Sequence, residues 1–207
     1  MSRRTGSSAR WRRRQEKDPY VERAAREGWR SRAVFKLQQI QAKEHVLKAG
    51  MRCVDLGASP GGWSQYAAQV VGPRGRVWAL DLLPMGAIPG VEFVQADFTA
   101  PEAVERLRAA LGADGVDLVM SDMAPNISGT RAIDQPRSIG LAEDALEFAT
   151  EVLRPGGDFL IKLFQGEGFP EFVRRVRGPF RVVRLIKPKA SRPESREIYL
   201  LARNYAV

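Results

Sequence analysis

Asp55-Leu56-Gly57-Ala58-Ser59-Pro60-Gly61-Gly62-Trp63-Ser64 is the stretch that decides the fold. The four residues before it, Met51-Arg52-Cys53-Val54, read as a short apolar strand. Those after it, Gln65-Tyr66-Ala67-Ala68-Gln69-Val70-Val71, read as the first turns of a helix. A strand that ends in a glycine-rich turn and feeds a helix brings bare backbone N–H groups and a positive helix end against a ligand. That arrangement suits a nucleotide-like molecule without saying which one.

Working outward, strand-like and helix-like segments alternate. Strands are expected over 76–81, 91–97, 116–122 and 159–164, with two late ones near 181–186 and 197–201. Helices are expected from Ser31, as an N-cap, through the stripe Val34, Leu37 and Ile40. Others follow from the capping-box spacing Thr99-Ala100-Pro101-Glu102 to about Leu111, over 137–153, and near 170–176. Pro155-Gly156-Gly157 is expected to stop the third of these, and 123–136 reads as a loop rich in Pro, Asn, Ser and Gly. The alternation implies one α/β domain with a mainly parallel sheet and helices on both faces. The last two strands have only a short loop between them, so an antiparallel strand is expected near the C-terminus.

Charge is uneven along the chain. The net charge is +9, and residues 1–32 carry eleven basic against four acidic side chains, which is +7 of that total. Arg10-Trp11-Arg12-Arg13-Arg14 is the densest run, and a second basic stretch extends from Arg174 to Arg196. Such an excess points to a polyanion, with nucleic acid the default partner and a solubilising tail the bland alternative. Residues 1–30 are therefore read as a basic arm and 31–207 as the folded domain. The first fifteen residues lack the apolar face or segment of a targeting peptide. No run approaches the ~20 apolar residues of a membrane helix. The single Cys53 excludes an internal disulfide and fits a reducing cytoplasm. One histidine, His45, lies in a polar stretch, so neither a His-based relay nor a metal cluster is expected.

In open α/β sheets ligands bind beyond the carboxyl ends of the strands. Here those ends carry Asp55, Asp81, Asp97 and Asp122, and four acids in register favour a ligand site over four separate caps. Asp81 follows Gly57 by 24 residues, near the ~20-residue offset at which an acid takes ribose hydroxyls. Asp97 is placed to accept from an exocyclic amine of a base. The turn Gly57-x-x-Pro60-Gly61-Gly62 is not G-x-G-x-x-G, which weakens a nicotinamide reading, and no P-loop signature is present. Lys162 stands within the apolar run 159–164, where an unpaired amine is costly to bury. The chain uses 26 Arg and only seven Lys, so a lysine at this position reads as a compact, titratable amine. The plainer alternative is a lysine at a strand end whose stem packs and whose amine reaches solvent.

Taken together these motifs resemble the FtsJ-type (RrmJ-like) methyltransferases over about residues 11–202. The resemblance rests on Arg30-Ser31-Arg32-Ala33-x-Phe35-Lys36-Leu37, on Val54 to Tyr66, on Asp81-Leu82-Leu83-Pro84-Met85, on Ser121-Asp122-Met123-Ala124-Pro125-Asn126 and on Phe164-Gln165-Gly166-Glu167-Gly168-Phe169. It implies a single Rossmann-like domain that moves a methyl group from S-adenosylmethionine, with S-adenosylhomocysteine as product, to a ribose 2′-hydroxyl of large-subunit ribosomal RNA. The nucleotide implied is a uridine of the A-loop. The catalytic set implied is Lys36, Asp122, Lys162 and Glu197, the last within Ser195-Arg196-Glu197-Ile198-Tyr199. Implied cofactor contacts are Gly57, Pro60, Gly61, Trp63, Asp81, Asp97 and Asp122, with no metal. The chain is expected to act as a cytoplasmic monomer on ribosomal RNA within the large subunit, with binding that weakens steeply as salt rises. Rival readings are a 2′-O-methyltransferase for transfer RNA or a messenger cap, a non-catalytic ribosome-assembly factor, and a nicotinamide oxidoreductase. Two departures from the pattern stand out: Ser59 where alanine is expected, and an arm unusually rich in arginine.

Overall fold

A computed structural model describes residues 18–125 and 130–206. The arginine run 10–14 and Asn126 lie outside the described residues. Seven strands form one sheet in the order β3-β2-β1-β4-β5-β7-β6. They are β1 (Arg52–Leu56), β2 (Arg76–Asp81), β3 (Val91–Gln95), β4 (Val116–Ser121), β5 (Leu153–Phe164), β6 (Phe180–Ile186) and β7 (Glu197–Tyr205). The pairs from β3 across to β5 are all parallel, and β7 inserts antiparallel between β5 and β6. The chain order reverses between β1 and β4, so the crevice for a ligand falls there.

The described helices are α1 (Pro19–Arg26), α2 (Val34–Glu44), α3 (Gly62–Val71), α4 (Pro101–Leu111), α5 (Arg131–Val152) and α6 (Phe169–Val176). Both faces of the sheet are covered, which is why the central strands read as continuous apolar runs. Every residue of β4 is buried. On one face α2 and α3 place Leu37, Ile40, Trp63 and Ala67 against Cys53, Met120, Leu160 and Tyr199. On the other, α4, α5 and α6 place Leu107, Leu146 and Phe172 against Val54, Val119, Phe159 and Leu200.

Several local expectations change. The helix expected from Ser31 begins instead after Ala33 with no side-chain cap; Val34 N–H donates to the Ser31 carbonyl at 3.3 Å. Thr99 caps nothing either, because its hydroxyl and amide both turn to Asp97, although Pro101 does open α4. The helix expected from 137 starts at Arg131 and runs through Pro136. Proline costs one helical bond there, and its neighbour Gln135 anchors the turn by donating to the Phe164 and Glu167 carbonyls, both at 3.0 Å. The helix does end at Val152, just before Pro155-Gly156-Gly157, but β5 begins at Leu153 and takes in these three residues as its bulged start: the pairing register slips between Val116 and Leu118. β3 stops at Gln95, so Asp97 lies beyond the strand.

Within the expected arm, residues 19–26 form a helix. Asp18 caps it by accepting from Tyr20 N–H at 3.1 Å, and Pro19 sets its first turn. Tyr20 packs on Phe35 with ring centroids 5.4 Å apart, and Arg23 lies 4.5 Å over the same ring. Among the described residues no helix is long and apolar enough to cross a membrane.

Candidate active site

Strand register builds the centre of the site. Ser121 is level with Ile161, so Asp122, the next residue, stands beside Lys162. Lys162 in turn faces Tyr199, and Phe164 faces Glu197. Side chains alternate along a strand, which sends Lys162, Tyr199 and Glu197 to the face covered by α2, where Lys36 waits.

Two ion pairs result. Lys162 Nζ lies 3.1 Å from Asp122 Oδ1 and also donates to the Asp122 carbonyl. Lys36 Nζ lies 2.7 Å from Glu197 Oε1. Tyr199 joins them: its hydroxyl donates to Asp122 Oδ1 at 2.6 Å, and Lys36 Nζ sits 5.7 Å from its ring centroid. The Lys162 side chain is only 8% exposed, which overturns the alternative of an amine reaching solvent. Burial pushes the Asp122 carboxyl up, but Lys162 and Lys36, with the Tyr199 hydroxyl, outweigh it and hold the group below the usual carboxylate range. Glu197 is held low in the same way, burial being outweighed by Lys36. Burial, with Asp122 and Glu197 nearby, pushes the Tyr199 phenol well up, so it remains a donor.

A cleft of about 540 Å³ opens beside this cluster, lined by Gly57, Asp81, Leu82, Leu83, Asp97, Asp122 and Met123 among others. That is within the ~300–1,000 Å³ of small-molecule and cofactor sites. Gly57, at φ +76°, has no room for a Cβ, which would run into Met123. Bare backbone is therefore what closes the turn on the loop after β4. Asp81 accepts from Ser59 N–H at 2.9 Å and Leu83 N–H at 2.7 Å, one on each oxygen. Each carboxylate oxygen has a further lone pair, so Asp81 can still take a ribose hydroxyl. Asp97 is exposed at the rim, its charge favoured by the Thr99 hydroxyl and amide. Acceptors at Asp81, Asp97 and Asp122 around a bare-backbone turn could hold a nucleoside-like molecule that offers hydroxyl and amine donors. Among the described residues no three His, Cys, Asp or Glu side chains are grouped to hold a metal ion.

Not every expected site residue reaches the cleft. Asp55 does not belong with the other three acids: it is fully buried and accepts from Ser64 Oγ at 2.6 Å. Burial, opposed by that bond and assisted by Asp122 and Asp81, raises its carboxyl to about 7. Trp63 is a core residue whose indole N–H donates to the Ala33 carbonyl at 2.9 Å, tying α3 to α2. Pro60 and Gly61 turn behind the cleft wall, against Arg30, Met85 and Ile88. Conversely, Tyr199 had no role assigned from sequence. The alternation Glu197-x-Tyr199 in a late strand is the signal that places both on one face.

The sheet order, the switch-point cleft and the acid–lysine row beside it define a Rossmann-like methyltransferase domain. The model of the FtsJ-like methyltransferases matches residues 29–205, and the chain belongs to that family. It is 54% identical over 202 residues to "Ribosomal RNA large subunit methyltransferase E" of Pseudomonas paraeruginosa, covering 98% of each chain. The protein of the same name from Pseudomonas aeruginosa gives the same identity and coverage. Among solved structures, a Plasmodium falciparum protein assigned as a ribosomal RNA methyltransferase superposes with TM-score 0.78 at 27% identity, over 86% of this chain and 98% of that one. The fold alone is shared with a chain of the fibrillarin/Nop5p complex, at TM-score 0.57 and 20% identity over 82% and 81% of the two chains.

Proposed function

We propose that this protein transfers a methyl group from S-adenosylmethionine to the ribose 2′-hydroxyl of a uridine in the A-loop of large-subunit ribosomal RNA. The observation that carries the reading is the row Asp122–Lys162–Tyr199 at the mouth of a nucleoside-sized cleft, braced by Lys36–Glu197. The names of the curated relatives support the choice of ribosomal RNA. The basic arm and the Arg174–Arg196 stretch supply the charge such a partner requires. On this reading the acceptor lies in the large subunit in the cytoplasm, and the basic residues of the arm before Arg30 are assigned to RNA contacts.

The cofactor, when bound, supplies a methyl already activated on a sulfonium. The chain's own work is therefore alignment and proton removal. Asp81 and Asp97 take the nucleoside, and the turn at Gly57 leaves space for the remainder. Lys162 Nζ acts as the free amine, the ammonium of the resting ion pair having first given a proton to solvent; it orients the 2′-oxygen and takes its proton as the oxygen–methyl bond forms and the sulfur–methyl bond breaks. Asp122, held ionised, fixes that amine and stabilises the ammonium produced. Tyr199 and the Lys36–Glu197 pair keep Asp122 and the second lysine in register.

Labelled S-adenosylmethionine incubated with isolated large ribosomal subunits or with transfer RNA, followed by mapping of the modified nucleotide, tests the substrate. Label in a 2′-O-methyluridine of the A-loop is expected, whereas label in transfer RNA alone would overturn the assignment. Lys162→Ala should lower the rate by ~10²–10⁴ while S-adenosylhomocysteine still binds. A variant with normal turnover would remove Lys162 from the mechanism.

A further inference from the structure

Arg30 opens the first matched motif, Arg30-Ser31-Arg32, and belongs to a segment rich in arginine, so its obvious reading is a phosphate contact. Its geometry is otherwise. Arg30 Nη1 donates to the Gly86 carbonyl at 2.8 Å and to the Pro60 carbonyl at 3.4 Å, and Nη2 donates to the Ala87 carbonyl at 2.6 Å. One guanidinium thus bridges the glycine-rich turn after β1 and the loop after β2. A Cβ added to Gly61 would meet Arg30 Cδ at 3.0 Å, so the side chain lies flat across the turn.

Its backbone is equally fixed. Gln65, in the first turn of α3, accepts from Arg30 N–H at 3.1 Å and donates to the Gly28 carbonyl at 3.0 Å. Trp29 packs edge-on against Tyr66 with centroids 5.9 Å apart. The two segments that Arg30 ties together carry Gly57, Ser59, Asp81, Leu82 and Leu83, which line the cleft. Leu82 and Leu83 are 59% and 61% exposed, so the part of the loop nearest the cleft is little packed, while Ile88 at its far end is buried and lies with Met85 against Gly61. That near part is held by polar contacts: Asp81 with Ser59 and Leu83 on the inner side, the Ser59 hydroxyl donating to the Pro84 carbonyl and Gln95 donating to the Leu82 carbonyl, at 3.3 and 3.2 Å, and Arg30 on the outer side.

We infer that Arg30 is a positioning residue that sets the width of the cofactor cleft, and is not a contact to RNA phosphate. The inference rests on the reading of this cleft as the S-adenosylmethionine site. A planar guanidinium reaches three carbonyls at once; a lysine ammonium cannot span them. Loss of the clamp lets 82–88 move away from the glycine turn, which weakens cofactor binding and raises its KM with little change in kcat.

The test compares Arg30→Ala, Arg30→Lys and, as a charge-matched control on α1, Arg26→Ala. Amide hydrogen exchange over 82–90 in the ligand-free protein should speed up in Arg30→Ala, less in Arg30→Lys, and not in Arg26→Ala, with the thermal midpoint little changed. The dissociation constant for S-adenosylhomocysteine should rise at least threefold in Arg30→Ala, while affinity for large ribosomal subunits and its salt dependence stay as in the parent. Unchanged exchange at 82–90 overturns the clamp. A fall in subunit affinity with a shallower salt slope and unchanged S-adenosylhomocysteine affinity overturns it too, in favour of a phosphate contact. If the parent protein itself fails to bind S-adenosylhomocysteine, it is the cofactor reading that falls, and the exchange result still decides the role of Arg30.

Discussion

A fully buried carboxylate is an expensive thing to keep in a core, and Asp55 is such a group. Among the described residues its Oδ1 has no hydrogen-bond partner, and the Ser64 hydroxyl satisfies the other oxygen. The folded-state pKa of about 7 lies above the ordinary 3.8. Between those values the folded protein binds a proton that the unfolded chain has lost. Stability from this group is therefore full below about pH 4, falls as pH rises toward 7, and is flat beyond. Asp55→Asn keeps the acceptor for Ser64 and removes the titration. The expected result is near-equal stability of variant and parent at about pH 4 and a gain of on the order of a few kcal/mol for the variant at about pH 8. Denaturant midpoints across that range measure it, and a difference that does not change with pH would refute the burial argument. Residue type and spacing alone could not separate Asp55 from Asp81, Asp97 and Asp122, since all four sit at or just past strand ends. What separates them is which face the side chain takes and what covers it.

The elements themselves were largely legible, because period and length are properties of local sequence. All seven strands and five of the six described helices fall where alternating apolar runs put them. The exceptions share a cause: a local signal overruled by a distant partner. Pro136 sits inside α5 because Gln135 grips the carbonyls of Phe164, at the end of β5, and of Glu167 just past it, and Pro155-Gly156-Gly157 joins β5 because β4 pairs with it across a bulge. α1 went unread in a run of charges because its support comes from Phe35. The glycine turn shows the reverse, a local signal whose meaning the fold sharpens. Gly57 and Gly50 both have positive φ, +76° and +83°, but a Cβ at Gly50 meets nothing within 4 Å, whereas one at Gly57 lies 3.2 Å from the Met123 Cα and closer still to its side chain. Gly50→Ala should cost only backbone strain, about 1–2 kcal/mol. Gly57→Ala should cost more than that and also weaken S-adenosylhomocysteine binding, since both Gly57 and Met123 line the cleft. Equal thermal midpoints and equal affinities for the two variants would show that the close approach to Met123 does not matter.

At the scale of the molecule, the two basic regions far apart in sequence meet, which spacing could never reveal. Asp18 is the meeting point: its Oδ2 lies 3.1 Å from Arg32 Nε and 3.3 Å from Arg192 Nη2, while its Oδ1 caps α1. Arg32 also donates to the Ala190 carbonyl at 2.6 Å, and Ala190 N–H donates to Gln39 Oε1 on α2 at 3.0 Å. One buried acid thus gathers α1, α2 and the segment leading into β7, the elements that deliver Lys36 and Glu197. Removing its charge leaves two arginines facing each other with no counter-charge, a loss that partial exposure of Arg192 moderates. Asp18→Asn should therefore lower stability by about 1–3 kcal/mol. Because the disturbance falls on the Lys36–Glu197 side of the site and not on the cleft, kcat should drop several-fold while the dissociation constant for S-adenosylhomocysteine stays unchanged. This is the opposite split from the one expected at Arg30. Stopped-assay kinetics on large subunits and calorimetric titration with S-adenosylhomocysteine read the two quantities separately. An Asp18→Asn protein that loses cofactor affinity but keeps kcat would show that the N-terminal segment supports the cleft and not the tetrad, and would undo this division of labour between Asp18 and Arg30.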